Sequence, residues 1–136
     1  MANEILLNFT SPCGAYGLTF EDDGKVAYAY LLWKDDIVGD VWLYNRCPTP
    51  DIPEWTDRTG IPFANPREFA SEGAHLTRRI QPADVIVDWE YEGDKPVASV
   101  YLFEKLFGVV GVGDKPGYAR AAVKNGPLAR VLEVEE

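Results

Sequence analysis

Residues 18–46 read LTFEDDGKVAYAYLLWKDDIVGDVWLYNR, and this stretch decides the fold class. Leu18-Thr19-Phe20 runs into Glu21-Asp22-Asp23-Gly24. Asp tolerates turn geometry and Gly supplies positive φ, so Asp-Asp-Gly reads as a hairpin loop. Residues 25–33 then alternate: Val26, Tyr28, Tyr30 and Leu32 fall on one face, Ala27, Ala29, Leu31 and Trp33 on the other. β-Branched and aromatic residues at period two favour a strand over a helix. Both faces are apolar, so both need cover, which suits a central strand better than an edge strand. Lys34-Asp35-Asp36 breaks the run and residues 37–44 resume it. Three antiparallel strands are expected, with the middle one deepest.

Working outward, residues 4–9 read as a first strand and 10–14 as a loop. Residues 47–66 differ: Pro48, Pro50, Pro53, Pro62 and Pro66 punctuate them. Proline removes donors and blocks both helix and central strand, so a long irregular excursion is expected. Ile52, Trp55, Ile61 and Phe63 are expected to pin it to the sheet as cover, with a binding lid as the second reading. Asn65-Pro66-Arg67-Glu68 resembles a helix start and Gly73 a helix end, giving about two turns with Phe69 inward.

Residues 74–79 read as a short strand, and 84–92 alternate again. Gly93-Asp94-Lys95-Pro96 returns as Gly113-Asp114-Lys115-Pro116. Both copies read as turns, at opposite ends of one extended segment, 97–112. That segment is apolar on both faces, with Gly108 and Gly111 marking a bend or bulge. Its second face needs a helix, the proline-rich excursion or another subunit as cover, which points to a homodimer. Residues 117–123 suit helix or strand, with strand preferred, and 128–134 read as a last strand before an acidic tail. The expected fold is α+β and mainly antiparallel β: a single domain over 1–136, with a curved sheet or sandwich of about six to eight strands and one short helix.

At 136 residues the chain can bury a core, and its formal net charge is −9. Such acidity argues against nucleic acid and anionic membrane, which need Lys and Arg to meet phosphate. It suits a basic partner, and it also suits plain solubility. The start lacks the basic-then-apolar pattern of a signal peptide, and no apolar run approaches the ~20 residues of a span. Cys13 and Cys47 are therefore expected as reduced thiols in a cytoplasmic protein.

Chemical motifs are sparse. The glycines from Gly108 to Gly113 start like a phosphate loop, but Asp114-Lys115 stands where Lys and then Ser or Thr are required. His75 is the only histidine and there is no CxxC, so zinc is not expected. Glu21-Asp22-Asp23 and Asp35-Asp36 do not match a calcium loop and read as solvated turns. No Cys-His pair sits in a hydrolase motif, so no catalytic residue, cofactor or metal is assigned. His75, Arg78, Tyr118 and Arg120 remain as contacts for a small anionic ligand, against the plainer reading that the basic groups pair with carboxylates. Trp55 and Phe63 are the aromatic anchors proposed for a partner.

Phe20-Glu21-Asp22-Asp23-Gly24, Tyr28-x-Tyr30 and Trp42-x-Tyr44-Asn45 together resemble a small bacterial family of uncharacterised single-domain proteins. Gly117-Tyr118-x-Arg120 is similar to that family's Gly-Tyr-Cys-Arg element, with Ala119 in place of Cys. The resemblance covers the first third and one late tetrapeptide. It implies a compact β-rich domain of the bacterial cytoplasm and carries over no catalytic residue. Three functions are then expected, in order. The first is a non-catalytic protein, immunity-type or regulatory, that binds a basic protein partner. The second is an anion-binding enzyme or sensor with a site under residues 47–66. The third is a structural homodimer.

Overall fold

The computed structural model describes residues 4–53 and 63–133. Trp55 and Ile61 lie outside them. The first sheet is an antiparallel meander, β1 (Ile5–Thr10), β2 (Tyr16–Asp22), β3 (Val26–Trp33) and β4 (Asp36–Asn45), in that spatial order. The second holds β5 (Val85–Glu92), β6 (Lys95–Leu102), β7 (Lys105–Gly111), β8 (Tyr118–Ala119) and β9 (Arg130–Val131). Its pairs are antiparallel except β8 with β9.

The 18–46 region folds as the alternation requires. Asp23 accepts from the backbone N–H groups of Lys25 and Val26 at 2.9 and 3.0 Å, and Gly24 takes φ 90°, which closes the β2–β3 loop. β3 lies between β2 and β4 and is covered on both faces. Leu7, Phe20, Ala29 and Val41 form a cross-strand row turned toward the second sheet. Val87, Val100, Gly108 and Ala119 form the corresponding row opposite. A Cβ on Gly108 would strike Leu43 Cδ2, and one on Gly39 would lie 2.6 Å from Gly111 O, so these glycines set how closely the sheets approach. On the other face of β3, Val26 and Tyr28 are buried, and the Tyr28 hydroxyl donates to Phe63 O at 2.7 Å. The end of the proline-rich excursion thus acts as cover, although Ile52 is 75 % exposed and pins nothing.

The far edge of β4 is closed by later chain. Gly113 N–H donates to Val38 O, Asp40 N–H to Asp114 O, Gly117 N–H to Asp40 O and Trp42 N–H to Leu128 O, all within 3.0 Å. β1, β5 and the two-residue β9 are the edge strands left over. The β1–β2 loop meets the end of β5, where Cys13 N–H donates to the Tyr91 hydroxyl at 3.2 Å.

Several expectations change. Nine strands, more than expected, occur among the described residues, with no α-helix. Residues 65–73 form one turn, in which Pro66 O accepts from Phe69 and Ala70, followed by a 3-10 turn at Glu72–Ala74. The helix stops because Ala70 bridges to Ala122 and Ser71 N–H donates to Ala121 O, which diverts backbone groups a helix needs. Residues 74–79 contribute a single bridge, His75 to Asn45, rather than a strand. Residues 117–123 and 128–134 shrink to the two-residue strands β8 and β9.

The segment 97–112 is a hairpin, not one ribbon. Phe103 and Glu104 both take positive φ, 52° and 68°, and turn the chain between β6 and β7. Phe-Glu carries no turn signal, because side chains other than Asn, Asp and Gly rarely enter that region. The Arg78 guanidinium lies 3.8 Å from the centre of the Phe103 ring and packs the turn down. With the chain reversed, Val97 pairs with Gly111, so the two Gly-Asp-Lys-Pro copies lie at the same end of the sheet. The expected bulge is present, as a register shift at Val100/Tyr101 beside Gly108.

Candidate interaction surface

The four polar residues singled out in the sequence do not converge. The exposed His75 shares its Nε2 with Arg46 O at 3.0 Å and lines a hollow of about 320 Å³ with Thr49 and Arg67. Arg78 lines a different hollow, about 360 Å³, with Asp84 and Glu104. Tyr118 lies on β8, and Arg120 follows it with its N–H bonded to Phe107 O. Phe63 is half-buried against the core. Trp55 lies outside the described residues.

Two buried polar clusters organise the fold. Asp22, fully buried, accepts from the Tyr44 hydroxyl and from Arg46 Nε, each at 2.7 Å, and from Gly24 N–H at 3.0 Å. Arg46 also donates through Nη1 to Leu76 O and Arg78 O, which ties residues 76–78 to β4. Burial first, and then the Asp22 charge, push the Tyr44 hydroxyl well above the usual tyrosine range. In the second cluster Asn45 Oδ1 accepts from Trp42 Nε1 at 2.9 Å and Asn65 N–H at 3.0 Å, while its Nδ2 donates to Asn65 O at 2.9 Å. These hydrogen bonds join one part of the chain to another, so both clusters read as supports. Among the described residues no three His, Cys, Asp or Glu side chains gather to hold a metal ion.

The exposed Cys13 thiol is held near pKa 7. The Ser11 hydroxyl is the main cause and the Tyr91 hydroxyl the next, since both hydrogen bonds favour the thiolate. Alkylation by iodoacetamide is therefore expected to rise through a midpoint near 7, and Ser11→Ala should move that midpoint upward. A midpoint unchanged in Ser11→Ala would remove the hydroxyl as the cause.

The surface with the most chemical character is the outer side of the second sheet. Register places Ile86, Asp88, Glu90 and Glu92 of β5 on that side, opposite Tyr101, Ser99, Val97 and Lys95 of β6. Leu106, Val109 and Tyr118 continue the face across β7 and β8. Val97, Tyr101, Leu106, Val109 and Tyr118 are each half-buried. The odd-numbered residues Val87 and Trp89 turn the other way and pack against the core. A hollow of about 290 Å³ between Val97, Val109 and Tyr118 shares the last two residues with one of about 500 Å³ reaching Val131 and Glu133. Arg130 stacks 4.2 Å from the Tyr118 ring centre and is neutralised by Asp114 at 3.1 Å, so it adds little free positive charge. The result is an apolar strip with Asp88, Glu90 and Glu92 along one flank and Glu133 at one end, while Asp114 is paired with Arg130.

No protein-family profile, curated protein or solved structure matches the chain. Sequence reasoning named Tyr118 only as a contact for a small anion beneath residues 47–66, and it missed the strip. The signal was present in residues 84–92, where the even positions from 88 to 92 are all acidic. The other half of the face comes from both arms of the 97–112 hairpin, Val97 and Tyr101 on β6 and Leu106 and Val109 on β7, and the reversal sets the two arms side by side.

Proposed function

We propose that the protein is a non-catalytic binding protein that holds a basic protein partner on the outer side of its second sheet. An immunity-type inhibitor or a regulatory protein is the concrete form of this reading. One observation carries it: a half-buried strip of Val, Leu and Tyr side chains flanked along β5 by Asp88, Glu90 and Glu92. Aromatic side chains in a partly desolvated strip supply anchoring, and surrounding charge selects the partner and speeds encounter. The net charge of −9 extends the same field over the molecule.

Panning a displayed random-peptide library reads the partner chemistry directly. Binders enriched in Lys and Arg are expected. Tyr101→Ala with Tyr118→Ala should weaken them by about thirtyfold, the scale of a hot spot worth about 2 kcal/mol. Enrichment of acidic or neutral sequences, or indifference to the double substitution, would end the proposal. A second reading draws on the same strip: two copies bury it against each other as a structural homodimer. Carboxylates along the flank oppose that arrangement at low salt. Light scattering at several concentrations and salt levels separates the two, since only self-association depends on the concentration of this chain alone.

A further inference from the structure

Resting on the basic-partner reading, we infer that the partner's bound segment is an extended stretch with alternating basic and apolar residues, which joins the second sheet as a sixth strand on the free edge of β5. The backbone is available. The two-residue Gly93-Asp94 loop makes Glu92 and Lys95 the first hydrogen-bonded pair of the hairpin, so the even residues of β5 face β6. The Phe103 N–H bond to Asp84 O, 3.2 Å, keeps the same parity at the other end. The N–H and C=O groups of Val87, Trp89 and Tyr91 therefore point away from the sheet. Among the described residues no hydrogen bond reaches them, whereas the Val85 N–H is taken by Pro82 O.

Three devices that guard an edge against any strand, a bulge, a proline and a lysine, are missing. β5 pairs with β6 without a register shift, and its eight residues contain no proline and no lysine. What it carries is selective: Asp88, Glu90 and Glu92 on one face and half-buried Val87 and Trp89 on the other. A second copy of β5 would set carboxylate opposite carboxylate, which cross-strand pairing disfavours. An incoming strand with Lys or Arg on the acidic side and apolar residues beside Val87 and Trp89 meets complementary groups on both faces. The edge strand of the first sheet, β1, is uncharged and selects no partner by sign, and β9 is only two residues long.

The test uses the peptide Lys-Val-Lys-Val-Lys-Val-Lys and two versions methylated on backbone nitrogen, one at every valine and one at every lysine. Strand addition uses only alternate N–H groups of the incoming segment. Methylation of one set should lower affinity at least tenfold, and methylation of the other should leave it within a fewfold. The valine set fails for an antiparallel addition and the lysine set for a parallel one. Amide exchange at Val87, Trp89 and Tyr91 should slow in the complex. Asp88→Lys with Glu90→Lys, both at exposed positions, should transfer preference to Glu-Val-Glu-Val-Glu-Val-Glu. If the parent peptide binds but both methylated versions bind equally well, or fail alike, edge pairing is overturned while the acidic face stands. If the parent does not bind and the library yields no basic sequences, both readings fall.

Discussion

Asp22→Ala is expected to lower folding stability by about 3–5 kcal/mol, the range for removing one partner of a buried ion pair. The substitution strands Arg46, whose side chain is 9 % exposed and whose Nε then has lost its carboxylate. It also leaves the Tyr44 hydroxyl without its acceptor and frees the Gly24 N–H in the β2–β3 loop. One side chain thus holds the first hairpin, the end of β4 and, through Arg46, residues 76–78. The measurement is the urea midpoint, with the denaturant slope unchanged if the native fold persists. A loss below about 1 kcal/mol would show that the cluster is no keystone. The same cluster sets an alkaline limit. Tyr44 holds its proton above the usual tyrosine range, as does Tyr30, which burial pushes up to about 12. The unfolded chain loses these protons first, near pH 10, so stability is fully present below that pH and declines as pH climbs past it. Tyr44→Phe should flatten that decline.

Trp42→Ala is expected to remove a further large share of stability, about 3–5 kcal/mol for a fully buried Trp. Trp42 is on β4 and has no exposed surface, although it pairs with Tyr28 on the face turned away from the second sheet. Its indole N–H donates to Asn45, which also grips the backbone of Asn65 at the end of the proline-rich excursion. The truncation leaves a cavity there and removes one of the two bonds to Asn45 Oδ1. Trp42→Phe should fall between, because it keeps most of the volume and loses the indole N–H. Trp33→Ala provides the contrast: Trp33 is 41 % exposed at the end of β3, and its loss should stay within about 1 kcal/mol. Faster protease cleavage at residues 63–70 in Trp42→Ala alone would confirm that the indole secures this segment. Equal melting shifts for the two alanine variants would contradict it.

Much of the first sheet was legible without coordinates. Alternation in 25–33 and the Asp-Asp-Gly loop are local signals, each acting within a few residues, and they place β2, β3 and β4 correctly. The interior position of β3 also followed, because two apolar faces on one strand require two covers. The identity of the covers did not follow. One is the other sheet, admitted at close range by Gly39 and Gly108; the other is the backbone around Phe63 and Asn65. Both are contacts between residues distant in sequence.

The second sheet was read less well. A Phe-Glu turn carries no local signature, so the reversal at 103–104 was invisible, and with it the common end of the two Gly-Asp-Lys-Pro copies. The expected helix at 65–73 was sound as local chemistry, but pairing of Ala70 and Ser71 with the chain at 121–122 overrode it. The sequence alone determined the β-rich class, the acidity and the central hairpins, because periodicity, charge and turn propensity reside in neighbouring residues. Tertiary structure decided which edges are closed, which apolar face remains turned to solvent and which charges flank it. Those outcomes depend on register between strands far apart in the chain, where one reversal moves every side chain that follows.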